Sequence, residues 1–261
     1  MADGRESMPK LVADVGNTRM KWGRCEAGRI AAAAALAPDD PDAWREQMAA
    51  WKLAAPVSWA VAGVHPKHRD QFVDWARRRG DQVHVIEKHT QLPLKLNVEA
   101  PEQVGIDRLL GVLAARALVP TGTPAIVVDA GSAITVNLLD EEGAFGGGAI
   151  FPGLRLMAEA LHTYTAQLPF IDARRFPSAV PAGTTATAIA AGLHWATVGG
   201  IHALVRAIAL SAPHADPLRV FVTGGDAETL FPDLAACDEF QFELHPNLTL
   251  EGTRLAAEAL T

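Results

Sequence analysis

Two stretches of this chain repeat one another, and the repeat limits the possible folds more than any other feature. Lys10-Leu-Val-Ala-Asp14 is an apolar run ending at an aspartate, followed by the turn Val15-Gly-Asn-Thr18. Pro124-Ala-Ile-Val-Val-Asp129 ends the same way and leads into Ala130-Gly-Ser-Ala133. A short apolar run bounded by turn residues reads as a buried strand, and two strands joined across a Gly/Asn turn read as a hairpin. Strand-like sequence resumes at Met20 and at Ile134. Later, Ala60-Val-Ala-Gly63 precedes one predicted helix as Phe221-Val-Thr-Gly224 precedes another. Each half therefore reads as strand–strand–strand–helix–strand–helix, and a duplicated α/β unit is the expectation.

The remaining patterns fit that plan. Helices are predicted over 42–53, where Trp44, Met48 and Trp51 share a face, and over 66–79, with proline in the first turn. The stretch 101–118 reads as a helix with an irregular start, and 152–164, 185–210 and about 250–260 as further helices. Strands are expected at 57–62, 83–86, 218–223 and, broken by glycine, 145–151. Val119-Pro-Thr-Gly-Thr-Pro124 is the best boundary, giving domains 1–118 and 119–261.

Composition excludes several classes. With 23 Lys and Arg against 30 Asp and Glu, the net charge of −7 lacks the basic footprint of a nucleic-acid binder. It equally lacks a polybasic patch for an anionic membrane. Cys25 and Cys237 are the only cysteines, so neither a disulfide framework nor a thiolate zinc site is expected. The opening MADGRESMPK has no apolar signal region, and the alanine-rich run at 31–37 is far short of a membrane span. A cytoplasmic protein without membrane or nucleic-acid partners is the expectation. The nine histidines show no helical metal spacing, and the six tryptophans read as core.

Paired Asp-x-Gly turns suit one kind of chemistry. Glycine lets backbone N–H groups approach a phosphate. Asn17, Thr18, Ser132 and Thr135 can donate further hydrogen bonds, and the aspartates can hold a hard cation or its waters. Gly105-Ile-Asp-Arg108 sets a carboxylate beside a guanidinium ahead of an apolar helix. It reads either as a surface ion pair or as a general base with a clamp for a substrate carboxylate. The glycines of 145–153 mark a bulge, close packing or a ligand. Thr184 and Thr185 open the long helix as cap or substrate contact. Val222-Thr-Gly-Gly-Asp226 reads as a tight turn or as a backbone seat for adenine or ribose.

In their order, these motifs resemble the type III pantothenate kinase family. The resemblance is carried by Asp14-Val-Gly-Asn-Thr-Arg-Met-Lys-Trp22, Pro101-Glu-Gln-Val-Gly-Ile-Asp-Arg108, Asp129-Ala-Gly-Ser-Ala-Ile-Thr135, Gly147-Gly-Ala-Ile-Phe-Pro-Gly153, 185–192 and Asn247-Leu-Thr-Leu-Glu-Gly252. It implies an α/β protein of two ribonuclease-H-like domains, the actin-like ATPase fold, with ATP in the interdomain cleft. It further implies phosphorylation of pantothenate by ATP, the first step of coenzyme A biosynthesis, with Mg2+ and a monovalent cation, K+ or NH4+.

Residue by residue, the resemblance assigns ATP binding to Asp14, Val15, Gly16, Asn17, Thr18, Arg19, Met20, Lys21 and Ser132. Asp107 matches the family's proton acceptor, and Gly105, Ile106, Asp107 and Arg108 its pantothenate-binding stretch. Thr185 matches a pantothenate-contacting threonine, and Asp129 the ligand of the monovalent cation. Ser132 stands where the family usually has threonine, and Val98 where it commonly has a tyrosine lining the acceptor pocket. A homodimer whose partner subunit helps close that pocket is also implied. The competing readings are a nonenzymatic accessory regulator of gene expression, a phosphatase of the same fold, and a kinase for another small hydroxy acid.

Overall fold

A computed structural model describes residues 9–211 and 218–260. They form two compact units, Met1–Leu118 together with Asn247–Thr261, and Val119–Pro246.

The first unit contains β1 (Leu11–Val15), β2 (Met20–Glu26), β3 (Arg29–Leu36), α1 (Pro41–Ala50), β4 (Ser58–Gly63), α2 (Pro66–Arg78), β5 (Gln82–Ile86) and α3 (Ile106–Leu118). The sheet order is β3-β2-β1-β4-β5. The β1–β2 and β2–β3 pairs are antiparallel, while β1–β4 and β4–β5 are parallel. Alternation along β1 sends Leu11, Ala13 and Val15 into a core with Trp22, Trp59, Trp44, Phe72 and Trp75. Asp14 shares the opposite face with Val12. Three helix and strand starts are fixed by polar side chains. Asp40 accepts from the Asp42 and Ala43 N–H groups at 3.1 Å, capping α1. His65 Nδ1 accepts from His68 N–H at 3.2 Å, capping α2. Buried Asp81 accepts from Val57 N–H and Trp59 Nε1 at 3.0 and 3.1 Å.

The second unit contains β6 (Ala125–Ala130), β7 (Ala133–Leu139), β8 (Phe145–Pro152), α4 (Leu154–Tyr164), α5 (Thr185–Ser211), β9 (Arg219–Thr223), α6 (Ala227–Leu234) and β10 (Gln241–Leu244). Its order, β10-β9-β6-β7-β8, reproduces the first sheet strand for strand when read from the other edge, with the same parallel and antiparallel senses. The repeat inferred from two Asp-x-Gly turns is thus a repeat of topology. Ile126, Val128 and Ala130 enter the core with Ile134, Val136, Val220 and Val222, under Leu154, Ile189, Ile201 and Leu230 from the helices.

The terminal helix α7 (Leu248–Glu258) corrects the linear division at residue 119, because it belongs to the first unit. Gly252 is the reason. A Cβ there would lie 2.0 Å from the Leu110 carbonyl oxygen, so only glycine lets α7 approach the backbone of α3 this closely. Glu251 Oε1 accepts from Ile30 N–H at 2.7 Å and ties α7 to β3 as well. One other expectation changes. Trp195 is 43% exposed rather than core, its indole N–H donating to Ser178 O at 2.8 Å. Among the described residues α5 is the long apolar helix. Its 27 residues have length and composition enough to cross a membrane, yet it is packed in the unit's core through Ile189, Ile201 and Val205.

Candidate active site

The phosphate-turn candidate lies where β1 meets β2. Asp14 is half-buried on the central strand, opposite Lys21 on β2 and Ala62 on β4. Gly16 N–H donates to Arg19 O at 3.0 Å, closing the turn and leaving Asn17, Thr18 and Arg19 exposed. Val15 and Met20 are fully buried, backbone included, so the expected ATP contact at these two positions is corrected: they pack in the core beneath the turn, and the exposed Asn17, Thr18 and Arg19 face outward. Gly63, at the end of β4, supports the turn from below. A Cβ on it would lie 2.4 Å from Val15 O.

The next residue along β4 leads to the second motif. Val64 Cγ1 sits 3.8 Å from where a Gly105 Cβ would stand, so the end of β4 bridges the turn and the 105–108 stretch. Asp107 occupies the first turn of α3, where a carboxylate is favoured by the helix dipole. Its Oδ1 accepts from Arg108 N–H at 2.9 Å. Burial nevertheless pushes the Asp107 carboxyl above its ordinary pKa, against the opposing pull of that N–H and of the Arg108 guanidinium. Burial likewise pushes Arg108 down, partly offset by Asp107. Both groups are half-buried, and burial moves their proton affinities in opposite directions, the carboxyl up and the guanidinium down. Ile106 is buried beside them.

The second unit repeats the first arrangement. Asp129 is half-buried one residue before the end of β6, and Gly131 and Ser132 form the turn to β7. Gly131 N–H donates to Ala133 O at 3.2 Å, and Gly153 N–H to Ser132 O at 3.0 Å. Gly153 and Gly224 are the close-approach positions at this turn, while Gly148 presses on β7, where a Cβ would lie 2.1 Å from Val136 O. A Cβ on Gly153 would lie 2.2 Å from Gly131 O, and one on Gly224, whose φ is +106°, 2.4 Å from Ala130 O. Gly224 on Ala130 thus repeats Gly63 on Val15. Gly153 and Gly224 therefore serve backbone packing around the turn, and Gly146 and Gly148 serve packing of β8 against β7.

Thr135 and Thr223 are the register partners of Asp129 on β7 and β9, which places all three side chains on one sheet face. Both threonines are buried. Carboxylate and hydroxyl oxygens are a donor set for a hard cation. In the sequence Thr135 offers a hydrogen-bond donor and Thr223 belongs to a motif that reads as a tight turn or an adenine or ribose seat; the strand registers supply their relation to Asp129. No group of three or more His, Cys, Asp and Glu among the described residues could hold a metal.

Thr184 and Thr185 divide their duties. Thr187 N–H donates to Thr184 Oγ1 at 3.2 Å and Thr184 N–H to Thr187 Oγ1 at 3.1 Å, a reciprocal cap. Thr185 takes no part in it. Exposed at the start of α5, Thr185 lines a cleft of about 520 Å³ with Leu161, Leu168, Ala182, Gly183 and Leu193.

The sequence pattern of type III pantothenate kinases matches residues 10–207. A type III pantothenate kinase of Halorhodospira halophila is 34% identical, over 93% of this chain and 95% of its own. One of Dechloromonas aromatica is 35% identical over 92% and 95%. Among solved structures, a conserved putative Baf family transcriptional activator from Campylobacter jejuni superposes with a TM-score of 0.58 at 18% identity, covering 96% of this chain and 98% of that one. The activator of 2-hydroxyisocaproyl-CoA dehydratase from Clostridium difficile, with bound ADPNP, gives 0.55 at 14%, covering 96% and 93%. The structural likenesses establish the actin-like ATPase and sugar-kinase fold, and the sequence matches establish the lineage: this chain belongs to the type III pantothenate kinase family.

Proposed function

We propose that the chain transfers the γ-phosphoryl group of ATP to the primary hydroxyl of pantothenate, the first step of coenzyme A biosynthesis. The pantothenate hydroxyl oxygen attacks the γ-phosphorus, the bond to the bridging oxygen breaks, and ADP leaves. Asp107 accepts the hydroxyl proton. Such a transfer needs in-line positioning and charge stabilisation more than covalent help. The observation that carries the assignment is Asp107 itself: half-buried, oriented by Arg108 N–H, and raised in proton affinity toward the range where a general base works. Arg108 offers a planar fork to the pantothenate carboxylate, and Thr185 a hydroxyl to the same substrate.

The remaining assignments concern the phosphates. Asp14 would stand near the metal-bound phosphates, and Gly16, Asn17, Thr18, Arg19 and Lys21 with Ser132 would contact ATP. Asp129 would hold the monovalent cation, with the Thr135 and Thr223 hydroxyls on the same face as supporting oxygens. Bound Mg2+ and K+ or NH4+ would offset phosphate charge. A homodimer is the assembly the family resemblance implies, and it would have apolar residues of the second unit to cover, among them Tyr164 at 85% and Val180 at 66% exposure.

The test is Asp107→Asn, which keeps shape and removes the base. With ATP, pantothenate, Mg2+ and K+ supplied, turnover falls by about 10² to 10⁴ while the folded protein still binds nucleotide. Near-normal turnover would remove Asp107 from the mechanism.

A further inference from the structure

The loop 165–184 is tied down by His162 Nδ1, 2.9 Å from Leu168 O, and by two further anchors that the phosphoryl transfer leaves unused. It joins α4 to α5 with one 3-10 turn, Ala173–Arg175, and supplies Leu168, Ala182 and Gly183 to the cleft beside Thr185. Near its far end, Trp195 on α5 donates its indole N–H to Ser178 O at 2.8 Å. Nearer its start, Arg174 grips Asp172 through Nε at 2.8 Å and a second guanidinium nitrogen at 3.1 Å. The remaining guanidinium nitrogen lies 3.6 Å from Asp226 Oδ1. Asp226 is buried, and its N–H donates to Ala130 O at 2.9 Å. Ala130 follows Asp129 directly. Arg174 is therefore the side chain through which the cleft wall reaches the end of β6. The bond to Arg174 holds Asp172 below the usual carboxylate range, so the pair stays charged at neutral pH.

We propose that Arg174 is a positioning residue. It sets the wall of the acceptor cleft against the Asp226 turn, so that occupancy of the nucleotide site at β6 tightens the acceptor site. The inference rests on the reading above, in which the Asp129 turn serves the nucleotide and Thr185 the acceptor. Without Arg174 the wall keeps Trp195–Ser178 and the buried Ile171, but its link to Asp226 is gone. Lysine at this position can meet one carboxylate but has no fork to hold both.

Calorimetric titration of pantothenate, with and without saturating ADP, tests this on the full-length parent, Arg174→Met and Arg174→Lys. ADP lacks the γ-phosphate, so direct contact with the acceptor is removed from the comparison. In the parent, ADP tightens pantothenate binding. Arg174→Met loses about fivefold of that gain, the upper range for a partly exposed ion-pair network, and Arg174→Lys recovers part of it. A merely structural role lowers Tm without changing the ratio of the two dissociation constants. The same gain in Arg174→Met, or no gain in the parent, overturns the proposal. A parent that binds no pantothenate under either condition overturns the site reading itself, and this inference with it.

Discussion

Replacing Gly105 with alanine separates catalysis from folding at a single atom. The new methyl would lie 2.6 Å from Asp107 Oδ1, whereas real Cβ contacts essentially never fall below 3.0 Å. The carboxylate must therefore retreat by at least 3.0 − 2.6 = 0.4 Å, and by 3.4 − 2.6 = 0.8 Å to reach ordinary contact. The atom that moves is the end of a side chain, so the backbone need not shift. Its retreat strains the 2.9 Å bond from Arg108 N–H, which is what aims the carboxylate. A misplacement near 1 Å costs about 10²-fold in rate. Losing one hydrogen bond costs about 1 kcal/mol of stability, and the lower chain entropy of alanine returns roughly half to all of that. Gly105→Ala should thus lower kcat by about ten- to a hundredfold with Tm nearly unchanged. Steady-state kinetics beside a thermal melt decide it. A kcat within twofold of the parent would refute the geometric role given to Asp107; a collapsed Tm would show that Gly105 serves packing instead.

Two more expectations follow from the same residues and from the helix beneath them. Gly252→Ala meets the Leu110 backbone at 2.0 Å, which has no flexible end to move, so α3 and α7 must part. The variant should lose about 3 kcal/mol in denaturant unfolding, and an unchanged midpoint would contradict the close approach. Asp107, with its folded pKa raised, binds its proton more tightly when folded than when unfolded. Its contribution to stability is complete below the unfolded pKa and is lost as pH rises through the folded one. Asp107→Asn should therefore melt higher than the parent at neutral pH, and kcat/KM of the parent should fall on the acid side at a pH above the ordinary carboxylate range. A lower Tm for the variant at neutral pH would reverse the sign.

The doubled sheet was legible because its informative residues are close together in sequence. Asp14 and Gly16, or Asp129 and Gly131, are fixed by local turn chemistry, and apolar runs such as Val127-Val128 announce buried strands. β3 was less legible, since alanine carries little strand preference and no alternation. Its hairpin rests on Ala27 and Gly28, both with positive φ, 49° and 73°. The return of α7 to the first unit was not legible. Gly252 reads as an ordinary helical glycine until Leu110, far away in sequence, is brought against it. The same holds for Thr223, which stands beside Asp129 only through the β6–β9 register. Thr184 and Thr185 were indistinguishable until the reciprocal bonds to Thr187 showed which one caps the helix. Asp107 could be named from its motif, but the burial that changes its proton affinity comes from packing.

The most direct test of the account follows both products in one tube. The purified full-length protein is given ATP, Mg2+ and K+, with and without pantothenate; ADP is followed by a coupled assay and phosphopantothenate by mass spectrometry. ADP and phosphopantothenate are expected to form mole for mole, with negligible ADP formation when pantothenate is left out. Phosphate release from ATP independent of pantothenate, or no phosphopantothenate at all, would contradict it.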